Sequence, residues 1–238
     1  MDGRAEAVRL LDLFCCAGGA AMGYHRAGFD EIVGVDIRPQ PRYPFTFVLG
    51  DALEYAAEHG HEFDAIHASP PCQAFTDLRH MPNALEHADL LTPTRAALVS
   101  IGLPYVIENV EGAPMTGPYI VLCGSMFGLG TGNAELWRHR LFELSGFYCL
   151  TPSCAHRTRD LVIGVYGGHG RDRRRVISVV GHSGGRSARD GTQQFTVDER
   201  REAMGIDWMT GAELSQAIPP AYTEFIGRYL LEACKVRP

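Results

Sequence analysis

Residues 8–27, VRLLDLFCCAGGAAMGYHRA, set the fold class of this chain. The apolar run from Val8 to Cys15 is typical of a buried strand, and Ala20 to Ala27 is typical of a helix. Gly18 and Gly19 between them predict a tight turn. A strand, a glycine turn and a helix in that order form the first unit of an open α/β sheet.

The same alternation continues along the chain. Further strands are predicted at 31–36, 45–49, 63–68, 104–109, 119–123 and 140–144. Helices are predicted at 52–58 and from Thr92 to about residue 100, with Thr92 as the N-cap and Pro93 at the first helical position. Strands that alternate with helices predict an α/β fold with a doubly wound, mostly parallel sheet.

Three parts are predicted: a main body at 1–149, a small β-rich insertion at 150–195 and C-terminal helices at 196–238 that pack back onto the body. The β-branched runs of the insertion are 161–166 and 176–180. Two capping boxes are predicted in the last part, Thr196 with Glu199 and Thr210 with Glu213.

Composition narrows the classes of protein. With 238 residues, 45% apolar and 21% charged, the chain is neither disordered nor fibrous. No apolar run reaches the ~18 residues of a membrane span, and no signal-peptide core is visible. Seven scattered cysteines favour free thiols in a reducing cytoplasm. The net charge is −6, yet residues 150–195 hold eight arginines against three aspartates, so this segment could steer a polyanion.

One group of residues follows the first three predicted strands, where ligands of open parallel sheets bind. Gly18 and Gly19 offer bare backbone to a cofactor. Asp36 ends the second strand, where ribose hydroxyls would find an acceptor, and Asp51 follows the third, placed for an adenine amine. Because the glycines lack the phosphate-binding G-x-G-x-x-G pattern, a nucleoside cofactor without pyrophosphate is favoured over a nicotinamide dinucleotide.

A second group indicates covalent chemistry. Cys72 follows two prolines at the end of the fourth strand, in a rigid turn that would hold its thiol at a pocket mouth. Glu108 ends the fifth strand and is either an exposed charge at the strand end or a partly buried acid with a raised pKa. Arg138 and Arg140 are two positions apart on an extended segment, so their side chains are expected to lie on the same face of it. A thiol, a carboxylate and two guanidinium groups suit covalent attack on an electron-poor ring.

These stretches, over roughly residues 8–145 and in the same order, resemble the motifs of the cytosine-C5 DNA methyltransferase family. The motifs are Asp12-Leu13-Phe14 with Gly18-Gly19, Asp36, Gly50-Asp51, Ser69-Pro70-Pro71-Cys72-Gln73, Glu108-Asn109-Val110, Arg138-His139-Arg140 and, near the C-terminus, Ser215-Gln216-Ala217-Ile218-Pro219-Pro220. The resemblance implies a Rossmann-like, S-adenosylmethionine-dependent DNA methyltransferase of bacterial or phage type, as in restriction-modification systems.

The resemblance also implies the cofactor, S-adenosyl-L-methionine, with S-adenosyl-L-homocysteine as the product. Phe14 would stack on the adenine, Asp36 would accept the ribose hydroxyls, and Asp51 would accept the adenine amine. The other residues expected at the cofactor are Gly18, Gly19, Ile37, Ala52, Pro70, Gln216 and Ala217.

In the reaction that the resemblance implies, Cys72 attacks C6 of a flipped cytosine as a thiolate. Glu108 holds N3 and the exocyclic amine, so that C5 becomes nucleophilic and takes the methyl group. Loss of the C5 proton then expels Cys72. Asn109 and Arg140 help to hold Glu108 and the base, and Arg138 belongs to the same catalytic set.

The expected partner is double-stranded DNA, bound by a monomer in the cytoplasm, with no membrane association. The residues expected to contact DNA are Gln73, Arg79, Arg171, Arg174 and Arg186. The loop at 74–91 would close over the DNA. The insertion is short for the family, which predicts a short or relaxed target sequence. A partner restriction nuclease is left open.

Three alternatives stay open. One is an RNA methyltransferase that modifies tRNA with the same motifs. Another is a variant that uses a modified S-adenosylmethionine, because Gln216 stands where the family usually has an asparagine. The third is a catalytically inactive DNA-binding protein, against which the intact motifs argue.

No metal ligand is assigned, although a structural zinc site is conceivable. Its ligands would be Cys149, Cys154 and His156, with His169 or His182 as the fourth.

Overall fold

A computed structural model describes most of the chain. The described residues are 7–72, 89–132, 134–154, 156, 161–164, 176–178 and 195–236. Within them, no helix is both long and apolar enough to cross a membrane.

Seven strands form the central sheet, in the order β3-β2-β1-β4-β5-β9-β6. The strands are β1 Arg9–Leu13, β2 Glu31–Asp36, β3 Thr46–Leu49, β4 Ala65–Ala68, β5 Tyr105–Asn109, β6 Tyr119–Leu122 and β9 Arg140–Ser145. The five strands from β3 to β5 are parallel, whereas β9 is antiparallel to both of its neighbours. The predicted doubly wound, mostly parallel sheet is therefore confirmed.

In the part of the chain that the structure describes, six α-helices accompany the sheets. They are α1 Gly19–Ala27, α2 Ala52–His59, α3 Leu91–Ile101, α4 Val197–Met204, α5 Gly211–Gln216 and α6 Pro220–Val236. Both predicted capping boxes are confirmed, at Thr196 and at Thr210. The predicted N-cap Thr92 is wrong, because α3 begins one residue earlier and Asp89 Oδ1 accepts a hydrogen bond from the Leu91 amide at 2.8 Å.

Helices cover both faces of the central sheet. The strands of this sheet are therefore almost wholly apolar, as β1 illustrates. Leu10 on one face packs into a cluster with Tyr24 of α1 and Ile226 of α6. Leu11 and Leu13 on the other face pack into a cluster with residues of α2 and α3. Helices α1 and α6 approach closely, since a Cβ at Gly23 would collide with the side chain of Thr223.

A second sheet of four strands, in the order β11-β10-β8-β7, crosses the boundary predicted at residue 149. Its strands are β7 Gly130–Thr131, β8 Ala134–Trp137, β10 Leu161–Gly164 and β11 Val176–Ser178. Strand β10 pairs in parallel with both β8 and β11. The insertion thus extends a sheet that begins in the main body.

The order of the central sheet reverses at β1, which lies between β2 and β4. In open α/β sheets the crevice at this switch point, beyond the carboxyl ends of the strands, is the usual ligand site. The turns after β1, β2, β4 and β5 all lie at this edge, because these strands are parallel.

Candidate active site

The glycine turn after β1 has an unusual backbone. Phe14, Cys16 and Gly18 all have positive φ, at 57°, 44° and 80°. Non-glycine residues rarely adopt this conformation, and such strain is concentrated at functional sites. Phe14 therefore directs its side chain from a constrained position at the end of the first strand.

The two turn glycines accommodate the protein's own chain. A Cβ at Gly18 would lie 2.6 Å from Pro44 Cδ and 2.9 Å from Tyr43 Cδ2, and one at Gly19 would collide with the carbonyl oxygen of Ile218. The sequence interpretation, that bare backbone lets a cofactor approach, is thus incomplete. These glycines also let the C-terminal motif and the 43–44 segment pack against the turn.

Asp36 ties the end of β2 to the glycine turn. Its Oδ2 accepts a hydrogen bond from the Cys16 amide at 3.0 Å, and its Oδ1 accepts one from the Arg38 amide at 2.9 Å. A carboxylate offers about four acceptor positions, so each oxygen keeps capacity for a ribose hydroxyl. Asp51 at the end of β3 uses its Oδ1 to cap α2 through the amides of Leu53 and Glu54.

Beside these acidic residues lies exposed apolar surface. Ile37, directly after β2, has 70% of its surface exposed, and Leu49 at the end of the adjacent β3 has 59% exposed. Large apolar side chains that are this exposed, at the edge of the sheet where ligands bind, are suited to cover a flat ring. Ala52 begins α2 beside them and is buried.

The C-terminal motif returns to the glycine turn, as the sequence predicts. Gln216 Oε1 lies 4.0 Å from Cys16 Sγ, and Trp208 Nε1 donates a hydrogen bond to the Ala17 carbonyl at 2.8 Å. Arg138 is fully buried and donates to the carbonyls of Ser215 at 3.2 Å and Ala217 at 2.8 Å. Arg138 thus holds this segment, and its positive charge also acts on Glu108 and Cys72, with which the sequence prediction groups it.

The turn that carries Cys72 is held by Asn109. The Asn109 side-chain amide donates to the Pro70 carbonyl at 3.0 Å, and its Oδ1 accepts from the Val110 amide at 2.9 Å. This fully buried side chain thus joins the end of β5 to the turn after β4. Cys72 itself is partly exposed.

Glu108 and Arg140 form a buried ion pair beside this turn. Arg140 Nε lies 3.0 Å from Glu108 Oε1, and both side chains are 9% exposed. Burial raises the pKa of Glu108, while the positive charges of Arg140 and Arg138 and a hydrogen bond from Ser69 act in the opposite direction. A carboxyl group in this setting holds a proton more readily than an exposed glutamate does.

The Cys72 thiol is protonated in this arrangement. Burial and the negative charge of Glu108 raise its pKa, and Arg140 and Arg138 oppose that rise. The sequence prediction of attack as a thiolate therefore requires loss of the thiol proton during the reaction.

Sequence reasoning missed a buried hydrogen-bond chain that ends at Glu108. Tyr24 Oη lies 2.9 Å from His67 Nδ1, and His67 Nε2 lies 2.8 Å from Ser69 Oγ. Ser69 in turn hydrogen-bonds the Glu108 carboxylate. Burial lowers the pKa of His67 to about 3, so its ring is neutral. The sequence signal that could have found it is that His67 is the polar residue in β4, whose other residues are Ala65, Ile66 and Ala68.

Asp12, in the middle of β1, is another buried acid. Burial raises its pKa to about 8, and its Oδ2 accepts a hydrogen bond from Tyr43 Oη at 3.1 Å. Within the described part of the chain, its Oδ1 has no hydrogen-bond partner. Asp12 is thus predominantly protonated at neutral pH and stabilises the segment that packs against Gly18.

The residues predicted to contact DNA lie outside the described residues. They are Gln73, Arg79, Arg171, Arg174 and Arg186. The same holds for most of the predicted closing loop at 74–91 and for His169 and His182.

Comparison with solved structures identifies the class of fold first. The Schizosaccharomyces pombe Dnmt2 methyltransferase superposes with a TM-score of 0.57 over 94% of this chain and 98% of that one, at 13% identity. The chain thus shares the overall fold of that protein, and its mostly parallel central sheet is of the Rossmann-like type.

The sequence of the first half of the chain is similar to a known protein family. Residues 8–114 match the C-5 cytosine-specific DNA methylase family, and this span contains the glycine turn, Asp36, Cys72 and Glu108. Over residues 8–114, which are less than half of the chain, the protein is similar to the C-5 cytosine-specific DNA methylases.

Two relatives are Type II methyltransferases. M.AquIA of Picosynechococcus is 31% identical over 121 residues, which are 44% of this chain and 49% of the relative. M.HgiDI of Herpetosiphon aurantiacus is 27% identical over 169 residues, which are 66% of this chain and 52% of the relative. The chain spans about half the length of these curated relatives.

Proposed function

We propose that this protein is a DNA cytosine-5 methyltransferase that acts on a flipped cytosine through a covalent bond from Cys72 to C6. The observation that carries the proposal is the partly exposed Cys72 thiol beside the buried Glu108–Arg140 ion pair. The similarity of residues 8–114 to the C-5 cytosine-specific DNA methylases supports it, because this span includes both the thiol and the carboxyl group.

The residues around the glycine turn fit S-adenosylmethionine as the methyl donor. Asp36 keeps acceptor capacity for ribose hydroxyls, and Ile37 offers exposed apolar surface to an adenine ring. Phe14, Asp51 and Gln216 are the other side chains proposed to hold it. When bound, this cofactor supplies an activated methyl group.

Cys72, Glu108 and Arg140 would each have a separate role in the reaction at the cytosine base. The Cys72 thiol gives its proton to solvent and bonds to C6, electron density moves through the ring towards N3, and the Glu108 carboxyl group supplies proton character there. Arg140 keeps the Glu108 carboxyl group oriented through their ion pair. After C5 is methylated, removal of its proton restores the double bond and expels Cys72 as a thiolate.

The proposal extends to the oligomeric state, the DNA partner and the cellular compartment. We propose that the chain acts as a monomer on double-stranded DNA in the cytoplasm, within a restriction-modification system like those of Type II methyltransferases. All seven cysteines are free thiols, which supports a reducing compartment.

Bisulfite and long-read sequencing of DNA from cells that express the protein test this function. We expect new 5-methylcytosine in one short sequence context, and none in cells that express Cys72→Ser. Bisulfite sequencing of tRNA from the same cells is the matched measurement. Methylation of tRNA with unchanged DNA would reassign the substrate to RNA, and no change in either would leave only a binding function.

The arginines of the insertion provide a separate prediction from the sequence. Arg186→Ala in a glycine-rich loop should relax one position of the target, at a cost of roughly 1–3 kcal/mol, as expected for loss of a bidentate guanine contact. Arg174→Ala should weaken binding to all DNA sequences alike. It should also reduce, by about one, the slope of the logarithm of the binding constant against the logarithm of the salt concentration. Binding titrations over several salt concentrations, combined with methylation profiles, separate the two roles. Unchanged affinity in both variants would show that these arginines only solvate a surface loop.

A further inference from the structure

Four side chains with metal-binding atoms converge near the ends of β6 and β8, and none of them is among the residues proposed for methyl transfer. They are Cys123, His139, Cys154 and His156, and their four ligand atoms all lie within 4.8 Å of one another. Cys154 Sγ lies 3.1 Å from His156 Nε2 and 3.5 Å from His139 Nε2. Cys123 Sγ lies 3.4 Å from His156 Nε2.

These spacings match a tetrahedral zinc site. With Zn–S bonds of about 2.3 Å and Zn–N bonds of about 2.0–2.1 Å, neighbouring ligand atoms on a tetrahedron are about 3.3–3.8 Å apart. The three sulfur–nitrogen distances, 3.1, 3.4 and 3.5 Å, lie at or just below that range. Two thiols and two imidazoles are also a donor set typical of structural zinc.

We propose that Cys123, His139, Cys154 and His156 bind one structural zinc ion. Four protein ligands complete the tetrahedron, so the metal keeps no open position for a substrate. The site is therefore structural, and it does not depend on the proposed methyl transfer.

The surroundings orient the two histidines. His139 directs Nε2 towards Cys154, while its Nδ1 lies 3.9 Å from a carboxylate oxygen of Glu111. Zinc-bound histidines characteristically have such a carboxylate on the second ring nitrogen. The His156 ring stacks on Trp137, with centroids 3.9 Å apart and an interplanar angle of 13°. Both imidazoles thus present the same atom, Nε2, to a common centre.

The ligands come from three separate stretches of chain. Cys123 follows β6, and His139 lies between β8 and β9. Cys154 and His156 belong to the segment that leads from β9 to β10. Bound zinc would hold the base of the insertion against the segment between β8 and β9. In that segment, the His139 carbonyl accepts a hydrogen bond from Arg140 at 2.8 Å.

The ligand set differs from the one considered from sequence alone. Cys154 and His156 belong to the cluster, but Cys149 does not, and instead packs against the main hydrophobic core. Cys123 and His139 were not foreseen. Cys149 therefore provides a matched control, being a nearby partly buried cysteine that the structure excludes.

Metal analysis of the purified full chain tests the proposal. The protein is produced in zinc-supplemented medium with a tag that contains no histidine, then dialysed and measured by inductively coupled plasma mass spectrometry. We expect roughly one zinc ion per chain, the stoichiometry of a single four-ligand site. Cys154→Ser and His156→Ala change exposed side chains, so the fold should persist by circular dichroism while zinc affinity falls by more than about 100-fold. Cys149→Ser should keep its zinc.

Cobalt substitution of the wild-type chain gives a readout that needs no variant. Co²⁺ in place of zinc should show thiolate charge-transfer bands and the intense visible bands of tetrahedral coordination. A chain that binds neither metal would overturn the proposal, as would equal metal loss in Cys149→Ser and Cys154→Ser. A Cys123–Cys154 disulfide, detected by mass spectrometry under non-reducing conditions, would also overturn it.

Discussion

A DNA duplex that carries 5-fluorocytosine at the target position should trap this protein as a covalent complex, and Cys72→Ala should form none. After Cys72 has bonded to C6 and C5 has been methylated, release requires loss of a proton from C5, and fluorine cannot leave in that way. The adduct is measured as a denaturant-resistant band and by intact mass. Without the sulfur atom no bond to C6 can form, so the expected loss is complete.

Cys16→Ser is the matched control for this experiment. The Cys16 thiol is close enough to Cys72 to influence it electrostatically, but burial raises the pKa of Cys16 to about 12. Cys16 is therefore a poor nucleophile, and its serine variant should still form the adduct. Should Cys72→Ala retain the adduct while Cys16→Ser loses it, the nucleophile would have to be reassigned.

Glu108→Gln should lower the single-turnover rate of methyl transfer by roughly 10² or more, the usual contribution of general acid catalysis. The amide keeps the shape of the side chain and can still accept a hydrogen bond from Arg140, but it cannot supply a proton to N3. Binding of the cofactor should hardly change, because Glu108 contacts the proposed base site instead of the glycine turn. Single-turnover kinetics and calorimetric titration of S-adenosylmethionine measure the two quantities.

Glu143→Gln provides a comparison with another buried glutamate–arginine pair. Glu143 accepts hydrogen bonds from Arg95 at 2.8 Å through both of its oxygens, on β9 and away from Cys72. Its substitution is expected to reduce stability but leave the rate per folded molecule unchanged. Similar rate losses in both variants would indicate that Glu108 acts only through structure.

Much of the fold could be predicted because its determinants are local in sequence. Apolar runs bounded by glycine, proline or an acidic residue predict the strands of the central sheet, and the capping boxes at Thr196 and Thr210 form from residues three positions apart. The site could be predicted in part for the same reason. Parallel strands end at one edge of a sheet, so residues such as Asp36, Cys72 and Glu108 were expected to be close together.

The limits of local patterns are visible at particular residues. Arg138 and Arg140 differ by two positions, yet Arg138 supports the C-terminal segment while Arg140 pairs with Glu108. Strand β9 pairs in antiparallel fashion with β5, although nothing in its sequence specifies direction. Side-chain alternation predicts a face, but not which other part of the chain will cover it.

The sequence by itself determined the class of sheet, the glycine turn and the strand-end residues, because each follows from the preferences of neighbouring residues. Only the tertiary structure decided that Gly19 packs against Ile218, that Ser69 links His67 to Glu108, and that Cys123 and His139 meet Cys154 and His156. These contacts join residues from different elements, some of them far apart along the chain. Their geometry is set by the packing of whole strands and helices, which no short stretch of sequence specifies.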